Sequence, residues 1–244
     1  MEILEKLGVK SGLILAAGLG SRMTFSVSKP MTKVLGKPLI IYAIDAMLHC
    51  EIEKIFIVYS NVSEDILLLK DSYKRNVVFI KQDNVKGSLS SFLCSKDFIS
   101  CPFILMDADI IIDCLQMQRM LEKFNYGGEN MIITAVENPS FEDKKVLLIN
   151  NNQLIGFCKS GYQEIIEGDQ IVQGGMVYLW FRSPFDMLEE FMQNGCNKLS
   201  VFLEEYVKRF KVGVMYIEDL WDVDTPEDIL ISEDILLRKS IYYG

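Results

Sequence analysis

The sequence predicts an α/β fold in three layers, α/β/α, built around a mostly parallel sheet with antiparallel additions. In the first half of the chain, short apolar runs alternate with segments whose apolar residues recur at helical spacing. Near-continuous apolar strands that alternate with helices are typical of a parallel sheet covered on both faces. In the second half, strand-like runs are separated by turn residues such as Asn150-Asn151-Asn152 and Gly174-Gly175. These runs favour antiparallel additions to the sheet, with a β-rich flap as the alternative.

Each element of the first half follows from its residues. The first strand, 12–16, is a short apolar run that ends in glycine-rich sequence. A helix over 38–49 is predicted from apolar side chains at helical spacing. A helix over 63–70 is predicted because Ser63 is placed to cap it, with Glu64 and Asp65 in its first turn. The remaining strands of this half are predicted at 54–59, 76–80 and 101–106, and the remaining helices at 88–98 and 113–124.

The second half is predicted to be richer in strands. Thr225, Pro226 and Asp228 stand at the N-cap, N1 and N3 positions of a final helix, the positions at which these residue types are favoured. The strands are predicted at 131–136, 145–149, 154–158, 176–181 and 211–217, and two further helices at 184–193 and 199–210.

Length and charge limit the classes of protein and partner. A chain of 244 residues without a linker or repeat is expected to form one domain over 1–244. Lys plus Arg number 25 and Asp plus Glu 34, a net charge of −9, which opposes binding to nucleic acid or to an anionic lipid surface. The sequence contains no uncharged stretch of 18 residues, so no membrane span is expected. Six cysteines without a C-x-x-C pair are interpreted as reduced thiols, which implies a cytoplasmic protein.

A glycine-rich segment, 15–23, follows the first strand and has the sequence L-A-A-G-L-G-S-R-M. Gly18 and Gly20 permit a close approach of the backbone to a ligand, so that consecutive N–H groups face an anion. Arg22 adds a guanidinium suited to phosphate oxygens. The segment lacks the third glycine of a dinucleotide-binding loop and the Gly-Lys-Ser/Thr of a Walker A loop. Two glycines alone would be equally typical of a structural turn.

The longer string is more specific, and with it the chain resembles the sugar-phosphate nucleotidyltransferase superfamily. The resemblance is closest to the small bacterial cytidylyltransferases that act on inositol 1-phosphate or phosphocholine. It implies transfer of a nucleotidyl group from an NTP to a phosphorylated acceptor, with release of pyrophosphate. It also implies a Rossmann-like fold of the nucleotide-diphospho-sugar transferase type. The matching segments are 15–23, 28–31 (S-K-P-M), 36–40 (G-K-P-L-I), 107–109 (D-A-D) and 221–228 (W-D-V-D-T-P-E-D).

The resemblance also divides the chain by role. The NTP-binding half is expected at about 10–125, the acceptor-binding half at about 126–225, and the C-terminal helix at about 226–240. Lys29, in the Lys-Pro motif, is expected to reach the triphosphate, together with Arg22 of the glycine-rich segment. Lys159 resembles the second lysine of the family, which contacts the acceptor phosphate.

Four aspartates are the candidate carboxylates. Asp107 and Asp109 follow the fourth strand, where open α/β sheets bind their ligands, and residues two apart in an extended segment point to the same side. Asp222 and Asp224 repeat this spacing before the last helix. Mg²⁺ needs few protein carboxylates when triphosphate oxygens and water complete its coordination. We therefore expect Mg²⁺ on Asp109 with Asp222, Asp224 or both, and Asp107 either nearer the nucleotide sugar or behind the metal ligands.

The remaining binding residues are carried over from the resemblance. Gln82 and Gly87 match the positions that contact the base, and Ser88 is placed to cap the next helix. Gly174 and Gly175 match a segment that borders the acceptor. The expected nucleotide-binding residues are Leu15, Ala16, Ala17, Gly18, Gly20, Ser21, Gln82, Gly87, Ser88 and Asp107. The compact length and the C-terminal motif favour CTP as the donor and a sugar phosphate, an inositol phosphate or a phosphocholine-like molecule as the acceptor.

Several alternatives stay open. A nucleotide-sugar-dependent glycosyltransferase would also carry an Asp-x-Asp motif, and a molybdenum-cofactor guanylyltransferase would share the glycine-rich segment. A non-catalytic nucleotide-binding subunit would have no need of Arg22, Lys29 and the aspartates. The single histidine, His49, is interpreted as a surface residue, and nucleotidyl transfer needs no histidine because the attacking phosphate is already ionised at pH 7. The sequence leaves the choice between a monomer and a homodimer open.

Overall fold

Nine strands form one mixed sheet in the computed structural model, which describes residues 8–18, 27–123, 126–136, 146–158, 170–218 and 220–243. The order across the sheet is β5-β4-β1-β6-β11-β8-β12-β10-β9. The strands of this sheet are β1 (Ser11–Leu15), β4 (Lys54–Tyr59), β5 (Val77–Lys81), β6 (Phe103–Asp107), β8 (Met131–Val136), β9 (Val146–Asn150), β10 (Gln153–Cys158), β11 (Gln170–Trp180) and β12 (Val212–Ile217). Two small sheets pair β2 (Lys33–Val34) with β3 (Lys37–Pro38), and β7 (Ile110–Ile112) with β13 (Leu220–Asp222).

Seven α-helices accompany these strands in the described residues. They are α1 (Leu39–His49), α2 (Lys70–Tyr73), α3 (Ser88–Leu93), α4 (Cys114–Lys123), α5 (Phe185–Gln193), α6 (Leu199–Arg209) and α7 (Pro226–Tyr243). The described residues also form two 3₁₀ helices, Lys29–Met31 and Asn61–Leu69. No helix in the described parts of the chain combines the length and the apolar character that a membrane span requires.

The parallel half of the sheet confirms the predicted βα alternation. β1 pairs in parallel with β4 on one side and with β6 on the other, and β4 pairs in parallel with β5. Side chains of β1 alternate between the two faces: Leu13 and Leu15 pack with α3, α5 and α6, whereas Ile14 packs with α1 and α4. Helices therefore cover both faces, and the fold is the predicted three-layer α/β/α arrangement.

The second half adds strands to the same sheet. β11 pairs antiparallel with β6, β8 and β9, and β12 pairs in parallel with β8. β9 and β10 form a hairpin whose turn residues Asn151 and Asn152 have φ of 49° and 61°, the left-handed conformation that such a two-residue turn needs and that asparagine tolerates. The described second-half strands are thus mostly antiparallel additions to the sheet, and the β12–β8 pair, which is parallel, is an exception to the expectation.

Three predicted elements differ from the structure. Residues 63–70 are mostly a 3₁₀ helix that begins after Ser60, and Ser63 is buried, where its Oγ accepts the Ser60 N–H at 3.1 Å. The helix predicted at 88–98 ends at Leu93, because Ser95 Oγ donates to the Phe92 carbonyl (2.7 Å) and competes with helical hydrogen bonding. The strand predicted at 176–181 begins at Gln170, since its first residues pair with β9.

Candidate active site

A cavity of about 440 Å³ opens at the carboxyl ends of β1 and β6. After β1 the chain forms β4 on one side of β1, and it later returns to form β6 on the other side. The strand order therefore reverses between β1 and β6. Open α/β sheets bind ligands at that point. The lining residues are Leu15, Ala17, Gly18, Val85, Lys86, Gly87, Ser88, Ser91, Asp107 and Asp109.

The glycine-rich segment contributes the wall above β1. Ser60 Oγ donates to the Ala17 carbonyl at 3.1 Å and fixes the backbone at the start of the segment. At Gly18 no atom of the described residues lies within 4 Å of where a Cβ would stand, so this backbone faces open space. Ala16, which was predicted with this group, packs on the opposite face of the sheet. Gly20, Ser21 and Arg22 lie outside the described residues.

The opposite wall is the segment from Val85 to Ser88. Gly87 has φ of 134°, and a Cβ there would clash with the Asn197 carbonyl oxygen, so glycine is required at this position. Gly87 itself is the N-cap of α3, and no side chain caps that helix. The prediction that Ser88 caps it is wrong: Ser88 Oγ instead accepts the Leu199 N–H (2.9 Å) at the start of α6.

Gln82 lies behind this wall, and its side chain does not line the cavity. It is 6% exposed, and its amide is fully hydrogen-bonded within the loop. Oε1 accepts from Ser91 Oγ (2.8 Å), and Nε2 donates to Ser90 Oγ (2.9 Å) and to the Asn84 carbonyl (3.2 Å). Ser91 lines the cavity together with Ser88, and its role was not predicted. The two serines are three residues apart on a helix, a spacing that places both on one face.

The acidic side of the site is assembled by the pairing of β13 with β7. Asp222 pairs with Ile110, and the Val223 N–H donates to the Asp109 carbonyl at 3.1 Å. One carboxylate oxygen from each of Asp109, Asp222 and Asp224 lies within 4.8 Å of the others. The structure therefore brings both late aspartates to Asp109. Asp107 lines the cavity beside them.

Lys29 lies inside this group of carboxylates. Its Nζ donates to Asp109 Oδ2 and, at 2.6 Å, to Asp224 Oδ1. The side chain is 13% exposed. Burial opposes the charged amine, but the two carboxylates outweigh burial and raise the pKa of Lys29 well above its usual range. The lysine is therefore an ammonium group held against the candidate metal ligands.

The predicted acceptor side is described only in part. Lys159 lies outside the described residues. Gly174 and Gly175 are buried in β11 and do not line the cavity. A Cβ at Gly175 would clash with Thr134 Oγ1, so close packing between strands accounts for glycine there. The lone histidine, His49, is exposed at the end of α1 and contacts Gln118 Oε1 through Nε2 at 3.0 Å.

A sheet with a cavity at its topological switch point, lined by Asp109 of a carboxylate cluster that also holds Lys29, defines an open α/β protein with a candidate ligand-binding site. Residues 12–209 match the family described as the MobA-like NTP transferase domain. The match covers well over half of the chain. The protein belongs to this family.

Individual relatives agree with this assignment. The bifunctional protein GlmU of Methanococcus maripaludis is 28% identical over 239 residues, which cover 94% of this chain and 55% of the relative. The chain thus spans about half the length of this curated relative. The structure of the inositol-1-phosphate CTP transferase from T. maritima superposes with a TM-score of 0.76 at 18% identity, covering 92% of this chain and 96% of that one. A putative glucose-1-phosphate thymidylyltransferase from Bacillus anthracis has the same TM-score at 19% identity, covering 92% and 94%.

Proposed function

We propose that this protein transfers a nucleotidyl group from an NTP to a phosphorylated small-molecule acceptor and releases pyrophosphate. One observation carries the proposal. Lys29 and the carboxylates of Asp222 and Asp224 meet around Asp109, which lines a cavity whose two walls carry the glycine-rich backbone and the loop before α3. The ammonium, together with a divalent ion held by the carboxylates, would supply the positive charge that a triphosphate requires, although the whole chain is acidic.

The reaction is an in-line displacement at the α-phosphorus. An oxygen of the acceptor phosphate forms the new P–O bond, and the bond between the α-phosphorus and the oxygen that bridges to the β-phosphorus breaks. The electron pair of that bond leaves with pyrophosphate. The acceptor phosphate is already ionised at pH 7, so the protein needs no general base, and positioning and charge neutralisation supply the catalysis.

Lys29 is assigned to the triphosphate. Its ammonium lies 2.6 Å from Asp224 Oδ1 and also contacts Asp109, which lines the cavity, so it can exchange a carboxylate partner for a phosphate oxygen. The backbone N–H groups that begin at Gly18 are assigned to the same phosphates. Arg22 and Lys159 are proposed to contact the triphosphate and the acceptor phosphate respectively, on the resemblance of their motifs.

Asp109, Asp222 and Asp224 are proposed to hold Mg²⁺ together with the nucleotide. The three carboxylates fit the ion, which prefers oxygen ligands and few protein donors. When bound, the ion would neutralise charge on the phosphates. Asp107 is assigned to the nucleotide sugar, because it lines the cavity between Leu15 and the carboxylate cluster.

The base is proposed to lie against the wall from Val85 to Ser88, where Gly87 and Ser91 face it. CTP is the proposed donor, and the acceptor is a sugar phosphate, an inositol phosphate or a phosphocholine-like molecule that approaches from the side of β11. We further propose a cytoplasmic location, since the described cysteines whose side chains are placed (Cys50, Cys94, Cys101, Cys114 and Cys196) are free thiols.

Release of pyrophosphate tests the proposal. The purified chain is incubated with Mg²⁺, each of the four common NTPs in turn, and a panel of phosphorylated acceptors. We expect release with CTP and one acceptor class, and its loss after EDTA. Lys29→Ala and Asp109→Asn should each lower the rate by at least 100-fold, the order of magnitude for one group that stabilises transition-state charge.

The exposed pair Lys208 and Glu205 supplies matched controls, because these side chains contact each other on α6. Lys208→Ala and Glu205→Gln should leave the rate unchanged. Absence of release with every pair would reject the catalytic proposal. Unchanged release by Lys29→Ala and Asp109→Asn would reject the assignment of these residues.

A further inference from the structure

Three hydrogen bonds tie Ala17, near the start of the glycine-rich segment, and Ser28, beyond its end, to one element. Ser60 Oγ donates to the Ala17 carbonyl at 3.1 Å. Asp65 accepts two hydrogen bonds from Ser28, one from the backbone N–H at 2.9 Å and one from Oγ. Ser60 is the N-cap of the 3₁₀ helix Asn61–Leu69, and Asp65 lies inside it. This helix therefore holds Ala17 and Ser28 at a fixed separation.

The hydrogen bonds between Ser28 and Asp65 determine the position of the Lys29 backbone. Ser28 directly precedes Lys29 and is the N-cap of the 3₁₀ turn Lys29–Met31. The Ser28 carbonyl accepts the N–H groups of Met31 (3.0 Å) and Thr32 (3.1 Å), so Ser28 is bonded on both its donor and its acceptor sides. Pro30 is buried and adds a fixed φ to the turn. The direction of the Lys29 side chain therefore depends on the orientation of Ser28, and hence on Asp65.

We infer that Asp65 is a positioning residue for Lys29, an inference that rests on the proposed function. Asp65 does not line the cavity, and both of its carboxylate oxygens are engaged by Ser28. Its carboxylate acts by fixing the backbone from which Lys29 extends to Asp109 and Asp224. A carboxylate suits this task because two donors one residue from the reactive cation require two acceptor oxygens on one rigid group.

A merely stabilising role would lower the melting temperature and leave the chemistry of Lys29 intact. The positioning role predicts that Asp65→Ala lowers kcat by about 10- to 100-fold, the effect of an ångström-scale displacement of a catalytic group. It also predicts that Asp65→Ala has less than about a twofold further effect in a Lys29→Ala background, because the two residues act as one unit. Asp65→Asn keeps one acceptor oxygen and should recover part of the rate.

Glu64→Gln is the matched control, because Glu64 is an exposed carboxylate on the same helix and pairs with Lys81 at 3.1 Å. It should leave kcat unchanged. Ser28→Ala, which removes only the hydroxyl donor, serves as the second variant if Asp65→Ala does not fold, and it should lower kcat less than Asp65→Ala does. Wild-type kcat in Asp65→Asn and Ser28→Ala, or losses that multiply with Lys29→Ala, would overturn the inference.

A readout without catalysis separates this inference from the proposed function. An amine-acylating reagent is applied to the nucleotide-free protein, and modification of Lys29 is followed by mass spectrometry. In the wild type, the carboxylates should protect Lys29. Asp65→Ala should raise its labelling rate several-fold, whereas Glu64→Gln should not. If the wild type releases no pyrophosphate but Asp65→Ala exposes Lys29, only the proposed function fails. Unchanged labelling of Lys29 overturns the positioning role.

Discussion

Lys29 Nζ lies 2.6 Å from Asp224 Oδ1, although the two residues are 195 positions apart in the sequence. The same ammonium contacts Asp109. Lys29 thus contacts two of the three carboxylates that are proposed to bind Mg²⁺ and offsets one of their negative charges. A metal ion that enters this cluster without nucleotide must compete with a buried cation, whereas a nucleotide that draws Lys29 onto its phosphates leaves the carboxylates to the ion.

Removal of the lysine charge should therefore increase metal affinity in the nucleotide-free protein. Lys29→Met is expected to bind Mn²⁺, a paramagnetic substitute for Mg²⁺, about tenfold more tightly, which corresponds to one charge-assisted hydrogen bond of about 1.5 kcal/mol. Electron paramagnetic resonance titration without nucleotide measures this change. Lys208→Met, on the exposed face of α6, should bind Mn²⁺ like the wild type. If Lys29→Met bound Mn²⁺ no more tightly than the wild type, the Lys29 ammonium would not compete with the metal ion for the carboxylates.

The raised pKa of Lys29 predicts how stability depends on pH. Burial favours the neutral amine, but Asp109 and Asp224 raise the pKa above the unfolded value of 10.5. Stabilisation by a group with a raised folded pKa is fully present below the unfolded pKa and is lost as the pH rises through the folded pKa. The difference in melting temperature between the wild type and Lys29→Met should therefore stay constant from pH 7 to about 9.5 and shrink only above roughly pH 10.5. A difference that already changes between pH 8 and 9 would show that the pKa of Lys29 in the folded protein lies below, and not above, the unfolded value.

The sequence was sufficient for elements whose residues act locally. The strands Lys54–Tyr59 and Met131–Val136 have the predicted bounds because continuous apolar runs end at turn residues. Thr225 and Asp228 form the predicted reciprocal cap at the start of α7, since a capping box involves only residues three apart. The carboxyl-end position of Asp109 likewise predicted where the cavity lies.

Hydroxyl and amide side chains account for most of what the sequence did not predict. Ser63 and Ser88 were expected to cap two helices, yet each bonds a different partner that the fold supplies. The hydrogen bonds of Gln82 with Ser90 and Ser91 were not predicted either, whereas its contact with the base stays a prediction. Such groups accept several partners of equal quality, so tertiary packing chooses among them. The contact of Lys29 with Asp224 depends on β13 reaching β7, which local sequence does not encode.

The two glycines of the cavity walls should respond differently to a methyl group. Gly18→Ala places its Cβ where no described atom lies within 4 Å, so the melting temperature should stay within a degree or two of the wild type. The same methyl group would occupy the space through which phosphates approach the backbone, so NTP affinity should fall at least tenfold. Titration calorimetry and thermal denaturation measure the two quantities.

Gly87→Ala should instead destabilise the fold. Its φ of 134° and the Asn197 carbonyl both oppose a Cβ, so we expect a loss of about 2 kcal/mol or more in the free energy of unfolding. Equal destabilisation by Gly18→Ala and Gly87→Ala would contradict the expected difference between the two walls.

Substitution of Gln82 should lower the affinity for all four nucleotides by similar factors. Its amide holds Asn84, Ser90 and Ser91, the residues that shape the wall from Val85 to Ser88. Gln82→Glu loses the two Nε2 donors, so the affinity for CTP, UTP, ATP and GTP should fall by similar factors, each about fivefold or more, as expected for lost hydrogen bonds of about 1 kcal/mol each. Competition binding with the four nucleotides measures the ratios. A change confined to the preferred base would show that Gln82 contacts the base directly when nucleotide is bound.

The cap of α7 links the stability of that helix to the position of Asp224. Asp228 is buried, and its Oδ2 accepts the N–H groups of both Asp224 and Thr225 at 2.8 Å, while Thr225 Oγ1 accepts the Asp228 N–H at 3.3 Å. Thr225→Ala and Asp228→Ala each remove half of the cap, so each should lower the free energy of unfolding by about 1 kcal/mol.

Only Asp228→Ala also releases the backbone of Asp224, one of the two carboxylates that contact Lys29. We therefore expect kcat for pyrophosphate release to fall about tenfold or more in Asp228→Ala and to change less than about twofold in Thr225→Ala. Chemical denaturation and steady-state kinetics on the two variants, at a temperature where both are folded, separate these effects. Equal kcat in the two variants would mean that the cap stabilises α7 without positioning Asp224.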